Sequence, residues 1–357
     1  MILALTVLLI VILIFALIPP SLGKLPKPAE KKGLAEKLWI KVDGTNLGLI
    51  ILSKNTDNPV LMLCGGGPGI PNYLLENSYS SPLSEEFTVC YWDYRGTGLS
   101  YDKRIIPQNM TAELFVSDAL AVTDYLLQRF SKEKIFIMGH SYGTYIALNA
   151  VQLHPEKYEC YIAMSQICNQ KESEYTAFDY MKERYKELGN KRMEKQFSKY
   201  NIRESKTDYD DYFFSGLRDK AMHDLGVGTA RNMRSVVTGI FLSSLRCTAY
   251  TQSERINIWR GKILSGKFPA AHHTIDFNAF NDVPRIEIPV FFVAGKYDYT
   301  CCTYLQQKYY EFVDAPLKKL YIFENSAHSP LYEEHDKAKN VLQEIKLTLK
   351  QRNDYDT

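Results

Sequence analysis

The stretch KIFIMGHSYGTYIALNAV (residues 134–151) decides the fold, because it joins a short apolar strand to a helix through a glycine-flanked serine. The run KIFIM is too short for a helix and predicts a buried strand, whereas TYIALNAV predicts a helix. Between them, Gly139 and Gly143 flank Ser141 in the pattern G-x-S-x-G, and this context indicates a nucleophile elbow. The glycines allow a tight turn that projects Ser141 at a helix N-terminus, where developing negative charge is stabilised.

Apolar strands alternate with helical stretches on both sides of this elbow. Further strands are predicted at 60–64, 87–92, 158–163, 290–294 and 317–323, and helices near 111–130, 142–153, 302–313 and 332–350. Short buried strands separated by helices predict an α/β fold, with a mostly parallel sheet and helices on both faces. A hairpin that starts near residue 38 and turns at Asp43-Gly44 is expected to add antiparallel strands at one edge.

The segment 171–282 interrupts the alternation. It contains no convincing buried strand and is rich in Lys, Glu, Tyr and Met at helical spacing. A loop seldom holds so many residues, so the segment predicts an inserted helical lid over the carboxyl edge of the sheet. The core of the α/β fold then comprises 37–170 and 283–357, preceded by a tether at 24–36.

Residues 1–23 carry no charged side chain, and up to residue 18 only Thr6 is not apolar. A helix of 18 residues spans about 27 Å, enough for a thin hydrocarbon core, so a retained single-pass membrane anchor is expected. The alternatives are a signal segment cleaved near Ser21-Leu22-Gly23, followed by secretion, and a soluble chain. The side of the membrane stays open, although the lysines after the segment and the absence of a disulfide pattern favour the cytoplasm.

The composition is that of a globular chain without charged or metal-binding specialisation. Of the 357 residues, 45% are hydrophobic and 24% are charged, which excludes a mainly disordered protein. The net charge of +2, without a basic stripe, excludes a nucleic-acid partner. No H-E-x-x-H, C-x-x-C or P-loop pattern occurs, so neither a metal nor another cofactor is predicted.

A serine nucleophile needs a base and a carboxylate that orients the base. Among the seven histidines, His328 lies in the loop ENSAHSP, directly after the strand LKKLYIF, whereas His140 adjoins the serine and should point away from it. Asp298 lies in GKYD, directly after the preceding strand PVFFVA. Catalytic groups of a parallel sheet collect at such carboxyl ends. The chain order Ser141, Asp298, His328 is that of the α/β-hydrolase triad.

An oxyanion hole must supply N–H donors for the tetrahedral intermediate. The Tyr142 amide, directly after the elbow serine, is one expected donor. The other is expected from the loop Cys-Gly-Gly-Gly-Pro-Gly (64–69), where glycines let the backbone approach a substrate closely. Gly67 is the predicted donor in this loop.

Three motifs together resemble the proline iminopeptidase group of α/β hydrolases, peptidase family S33. GGGPG (65–69) is similar to the family's H-G-G-P-G, DYRGTGLS (93–100) to its D-x-R-G-x-G-x-S, and GHSYG (139–143) to its G-x-S-x-G elbow. The resemblance covers about residues 38–350. Gly65 departs from the pattern, because the family usually has His there.

The resemblance implies a serine hydrolase that removes an N-terminal residue, such as proline, from a short peptide. Acidic side chains of the lid bind the free amino terminus in this family, and Glu172 and Glu174, where the lid begins, are the candidates here. Two alternatives stay open. One is a carboxylesterase or lipase-like hydrolase of small or lipid esters, and the other is a catalytically inactive binding protein with a lid.

Overall fold

The computed structural model describes residues 21–356, and its central element is an eight-stranded mixed sheet. The strands are β1 (Leu34–Val42), β2 (Thr45–Ser53), β3 (Val60–Cys64), β4 (Thr88–Trp92), β5 (Ile135–His140), β6 (Tyr158–Met164), β7 (Val290–Gly295) and β8 (Lys318–Phe323). Their order across the sheet is β1-β2-β4-β3-β5-β6-β7-β8. β1 and β2 pair antiparallel, as do β2 and β4, whereas all other pairs are parallel. This confirms the predicted α/β fold, including the hairpin at one edge.

Within the described residues, the α-helices between and after these strands include several that are very short. They are α1 (Tyr73–Tyr79), α2 (Leu83–Glu86), α3 (Ala112–Phe130), α4 (Tyr142–Leu153), α5 (Gln170–Glu187), α6 (Lys191–Phe197), α7 (Lys206–Phe213), α8 (Gly216–Asp224), α9 (Leu242–Arg246), α10 (Gln252–Ser265), α11 (Pro269–Asp276), α12 (Ala279–Asp282), α13 (Thr303–Phe312), α14 (Pro330–Glu333) and α15 (His335–Asp356). A π-helical turn, Val237–Phe241, precedes α9.

Successive side chains along each strand point to opposite faces of the sheet and belong to two apolar clusters, one on each face. In β5, Ile135 and Ile137 join the cluster covered by α3 and α4, whereas Phe136 and Met138 join the cluster covered by α1 and α15. Each fully buried side chain of this size contributes about 1.5–3 kcal/mol. Burial on both faces explains why the strands read as continuous apolar runs.

The hairpin begins earlier than the sequence predicts. β1 starts at Leu34, inside the segment 24–36 interpreted as a tether, and its register runs from Leu34 opposite Ser53 to Val42 opposite Thr45. β1 pairs with β2 along the full length of β2. This pairing extends β1 at its start into residues 34–37, which show no strand pattern in the sequence.

The segment 171–282 is helical, but its two halves pack differently. The first half has an apolar cluster of its own, which includes Phe178, Tyr212 and Val227. In the second half, Ile258 of α10 and Phe268 join the clusters on the sheet. The division into core and lid therefore stays a prediction, with only the first half forming a separate cluster.

The predicted membrane localisation is corrected. Residues 21–356 contain no helix that is both long enough and apolar enough to cross a bilayer. The apolar run at 1–18, on which the prediction of an anchor depends, lies outside the described residues.

Candidate active site

Ser141 lies between β5 and α4 in a strained backbone conformation. Its φ of +54° and ψ of −122° are unusual for a residue with a side chain, and such strain costs about 1–3 kcal/mol. The surrounding backbone holds it: the Ser141 N–H donates to the Met164 carbonyl oxygen at 3.1 Å, and the Ser141 carbonyl oxygen accepts from Thr144 N–H at 2.8 Å. A Cβ atom at Gly143 would lie 1.9 Å from the Cys64 carbonyl oxygen, so only glycine fits there.

His328 and Asp298 are in direct contact at the carboxyl edge of the sheet. The His328 Nδ1 atom is 3.0 Å from each carboxylate oxygen of Asp298, and the two residues are only 6% and 1% exposed. Backbone N–H groups of Thr300 and Cys301 also donate to Asp298 Oδ1, each at 2.9 Å. Because a carboxylate only accepts, Nδ1 of His328 carries the proton, and Nε2 of the neutral ring is left as an acceptor.

The His140 side chain forms a hydrogen bond with the backbone of His328. Its Nε2 atom donates to the His328 carbonyl oxygen at 2.9 Å, and Ser165 Oγ donates to the same oxygen at 2.9 Å. Burial, with His328 nearby, lowers the pKa of His140 to about 3, so this ring is neutral at ordinary pH. The sequence predicts only that His140 points away from Ser141, and it gives no sign of this contact.

The glycine-rich loop is held by Asn72 and Tyr94. The Gly66 N–H donates to Asn72 Oδ1 at 3.1 Å, and the Tyr94 hydroxyl donates to the Gly65 carbonyl oxygen at 2.7 Å. A Cβ atom at Gly65 would lie 3.1 Å from Asn72 Cβ. Asn72 therefore occupies the space that a side chain at position 65 would need. On its other side, Asn72 Nδ2 lies 3.4 Å from His140 Nδ1. Asn72 thus links this loop to the support of His328.

The Gly67 and Tyr142 amides have no protein acceptor within residues 21–356. Gly67 has a φ of +127°, which a residue with a Cβ atom rarely adopts. Tyr142 begins α4, so its N–H is one of the four that an α-helix leaves unpaired at its start. The two amides predicted as oxyanion donors thus have no competing acceptor among the described residues, whereas the Gly66 amide is engaged by Asn72.

Glu333 connects the loop that carries His328 to the inserted helices. Its Oε1 atom accepts from the N–H groups of Ala327 at 2.9 Å and Ser329 at 3.2 Å, which flank His328. Its Oε2 atom accepts from the Arg231 N–H at 2.6 Å. Burial raises the pKa of Glu333, and these three backbone bonds oppose the rise.

A cavity of about 390 Å³ opens above Ser141 and His328. Its wall is partly apolar, formed by Ile70, Leu75, Met222, Val236 and Ile240, and its charged side chains are Arg218, Asp219 and Lys262. Helix α8 supplies Arg218 and Asp219, and helix α10, which packs against the glycine-rich loop, supplies Lys262. The sequence does not indicate these residues, since their positions depend on how the insertion packs.

Neither predicted lid carboxylate lines this cavity. Glu174 is fully buried, where it forms a bidentate ion pair with Arg218 and accepts from Gln170 Nε2 at 2.9 Å. Glu172 is exposed in the first turn of α5. The carboxylate that does line the cavity is Asp219.

The cysteines near the site are reduced and buried. Burial raises the pKa of Cys301, and the nearby Asp298 carboxylate raises it further. Within residues 21–356, no group of three or more His, Cys, Asp or Glu side chains is arranged to hold a metal ion.

Comparison with known proteins identifies the family of the chain. A family model described as "alpha/beta hydrolase fold" matches residues 59–335. The chain is 31% identical over 316 residues to a Bacillus subtilis (strain 168) protein named probable aminopeptidase YbaC, which covers 88% of this chain and 96% of that relative.

Two solved structures share the fold at low sequence identity. A proline iminopeptidase of Mycobacterium smegmatis superposes with a TM-score of 0.58 at 14% identity, over 90% of this chain and 100% of that one. An esterase of Exiguobacterium antarcticum gives a TM-score of 0.54 at 18% identity, over 88% and 100%.

Proposed function

The chain belongs to the alpha/beta hydrolase fold family and is a hydrolase, and from this premise we propose that it is a serine hydrolase with the triad Ser141, His328 and Asp298. The observation that carries the proposal is the contact of Asp298 with His328 Nδ1 at 3.0 Å, because His328 lines the same cavity as Ser141. The strained backbone of Ser141 adds support, because such conformations concentrate at functional sites.

In the first step, His328 Nε2 accepts the Ser141 hydroxyl proton while Ser141 Oγ attacks the substrate carbonyl carbon. The resulting imidazolium is stabilised by Asp298, whose carboxylate is held in place by the Thr300 and Cys301 amides that donate to it. The carbonyl oxygen becomes an oxyanion, and the Gly67 and Tyr142 amides are the donors proposed to bind it. One such donor typically contributes about 10²–10³ in kcat.

In the second step, His328 returns the proton to the leaving group, and an ester between Ser141 and the acyl group remains. His328 then takes a proton from water, which attacks this acyl-enzyme and regenerates the serine. No further group is needed for the balance of protons, because one imidazole alternates as base and acid.

We propose an N-terminal residue of a short peptide, with proline as one candidate, as the acyl group. The relative named probable aminopeptidase supports the peptide class. Asp219 supports it independently, because a carboxylate in the cavity wall can bind the ammonium group of a free amino terminus. The cavity volume of about 390 Å³ suits a short peptide and excludes a folded chain.

A second candidate is a carboxylesterase for small esters. The apolar part of the cavity wall, which includes Ile70, Leu75 and Val236, favours this alternative, because it can bind an acyl chain as well as a side chain. The two candidates differ in their need for a free amino group, since an ester substrate has no ammonium to pair with Asp219.

The test compares a prolyl arylamide, its N-acetylated form and a short aryl ester, using wild-type protein, Ser141→Ala and the control Ser198→Ala. Ser198 is an exposed serine of the insertion. We expect the wild type and the control to cleave the free arylamide and reject the acetylated one. Ser141→Ala should lose at least about 10³-fold in rate.

Other outcomes each have a defined meaning. Undiminished activity of Ser141→Ala would end the proposal of a serine nucleophile. Equal cleavage of the acetylated arylamide, or cleavage of the ester alone, would favour the carboxylesterase. A folded wild type that cleaves none of the three would favour a binding protein with a lid.

A further inference from the structure

The cavity above Ser141 presents both signs of charge to a substrate. Arg218 and Asp219 lie on α8, whereas Lys262 lies on α10. A cavity for a simple arylamide or a neutral ester needs no cation. We therefore ask what each of the two cations contacts in the protein and which of them is left to contact a substrate.

Arg218 is already neutralised. Its Nε atom donates to Glu174 Oε2 at 2.7 Å, and its Nη2 atom pairs with Glu174 Oε1, so the guanidinium and the buried carboxylate form a neutral unit. Removing either partner would leave a buried charge unpaired, which makes this pair a structural feature of the insertion. With Arg218 paired, Asp219 and Lys262 are the two charged side chains of the cavity wall that a substrate can contact.

Lys262 has no hydrogen-bond or ion-pair partner for its ammonium group within the part of the chain that the structure describes. The surrounding protein lowers the pKa of Lys262, whereas the nearby Asp219 carboxylate acts in the opposite direction. The two groups thus lie close enough to influence each other without forming a direct pair. Lys262 is exposed where it lines the cavity, so its ammonium group is open to an anionic group of a ligand.

The position of α10 brings Lys262 close to the reacting atoms. Ser265, one turn further along this helix, donates from Oγ to the Pro68 carbonyl oxygen at 3.1 Å. A Cβ atom built at Gly69 would lie 3.3 Å from Lys262 Cα. Lys262 therefore projects from a helix that is fixed against the loop containing Gly67, the proposed oxyanion donor.

We propose that Lys262 binds the carboxylate of the substrate, so that the preferred substrates are di- and tripeptides with both termini free. The inference rests on the proposed function, and it adds the leaving-group side: the amine faces Asp219, and the carboxylate of the departing residue or dipeptide faces Lys262. A longer peptide carries its carboxylate beyond the reach of this side chain. A peptide amide lacks the charge and leaves Lys262 unpaired.

The experiment measures kcat/KM for an X-glycine dipeptide and for the matching X-glycinamide, where X is the residue best cleaved as an arylamide. For the wild type we expect the free acid to be preferred by about tenfold, as for one charge-assisted contact in a partly hydrated site. In Lys262→Met the ratio should fall to near one, and in Lys262→Glu the amide should become the better substrate. Raising the salt concentration should reduce the wild-type ratio.

The matched control is Lys267→Met, which removes an exposed lysine just beyond the end of α10 that does not line the cavity. This variant should keep the wild-type ratio. A wild-type ratio near one, or an unchanged ratio in Lys262→Met, would overturn the role of Lys262, while Ser141-dependent arylamide cleavage would still support the proposed function. Absence of any Ser141-dependent peptide or arylamide cleavage would overturn both.

Discussion

His140 precedes Ser141 in the chain, yet its ring is directed to the backbone of His328. The contact requires a protonated Nε2, and Nδ1 is then the acceptor that faces Asn72. Protonation of the second nitrogen would place a charge in a buried site beside His328. The imidazole therefore functions as a neutral hydrogen-bonding group, and its depressed pKa is a consequence of that position.

This depressed pKa predicts a loss of stability in acid. The pKa of His140 is about 3 in the folded protein, against a usual value of 6.5, so between these values the unfolded chain binds more protons. The stabilising contribution is complete above about pH 6.5 and declines as the pH falls toward 3, with a slope of up to about 1.4 kcal/mol per pH unit.

Urea denaturation of His140→Gln from pH 4.5 to 7 tests this prediction. Glutamine can donate to the same carbonyl oxygen but does not titrate, so its free energy of unfolding should fall less steeply in acid than that of the wild type. His154→Gln removes a histidine whose side chain is 43% exposed and should follow the wild-type curve. Parallel curves for the wild type and His140→Gln would contradict the assignment.

Residues such as Asn72, Asp219, Lys262 and Glu333 could not be predicted from the sequence. Ser141, Asp298 and His328 each follow a strand at the carboxyl edge of the sheet, so chain order is enough to nominate them. The other four act through contacts between segments far apart in the chain, and no spacing rule records those contacts. Glu174 shows the converse, because a plausible position at the start of the insertion proves to be a buried ion pair.

The loop DYRGTGLS (93–100) joins the sheet to helix α3. The Asp93 Oδ2 atom accepts from the Leu99 N–H at 2.8 Å, which closes the turn, and Arg95 forms a bidentate pair with the fully buried Asp118 of α3. Burial raises the pKa of Asp93 to about 7. This loop motif therefore has a structural explanation that needs no direct role in catalysis.

Asp118→Ala should lower the free energy of unfolding by about 3–5 kcal/mol, because it leaves the Arg95 guanidinium without its buried partner. The matched control on the same helix is Asp124→Ala, which breaks an exposed pair with Lys157 and should cost no more than about 1 kcal/mol. Both values come from chemical denaturation at neutral pH. Similar costs for the two variants would show that the buried pair does not join α3 to the loop.

Most elements of the core were predictable because their local patterns and their packing agree. The strands from β3 onward are short apolar runs, and α3, α4 and α13 lie within one or two residues of their predicted bounds. The start of β1 and the short helices α1 and α2 were not predictable, since pairing with β2 and packing on the sheet define them. The insertion showed helical spacing, but its packing against the sheet from α10 onward left no signal in the sequence.

At the scale of the whole molecule, the insertion is connected to the loops that carry Asp298 and His328. The Gly228 carbonyl oxygen accepts from the His328 N–H at 3.2 Å, and the Arg231 guanidinium lies 3.7 Å from the centre of the Tyr297 ring. Tyr180 of α5 stacks on Tyr299 at 4.0 Å between ring centres. A movement of the insertion would therefore displace the predicted base.

Glu333→Gln tests this coupling, because the change keeps the shape of the side chain but replaces one acceptor oxygen with a donor. We expect kcat to fall by about tenfold with a smaller change in KM, together with faster amide exchange in residues 226–231. Glu324→Gln, which alters an exposed pair with Lys296, should change neither quantity. Wild-type kcat in Glu333→Gln would show that the base does not depend on this connection.

The most direct test of the proposed serine hydrolase is to locate a fluorophosphonate adduct by mass spectrometry. This reagent modifies a serine only when a base activates it and an oxyanion hole receives the phosphoryl oxygen. The expected result is one adduct, on Ser141, which is absent in Ser141→Ala and strongly reduced in His328→Ala. A folded wild-type protein that forms no adduct, or forms it on another residue, would contradict the triad of Ser141, His328 and Asp298.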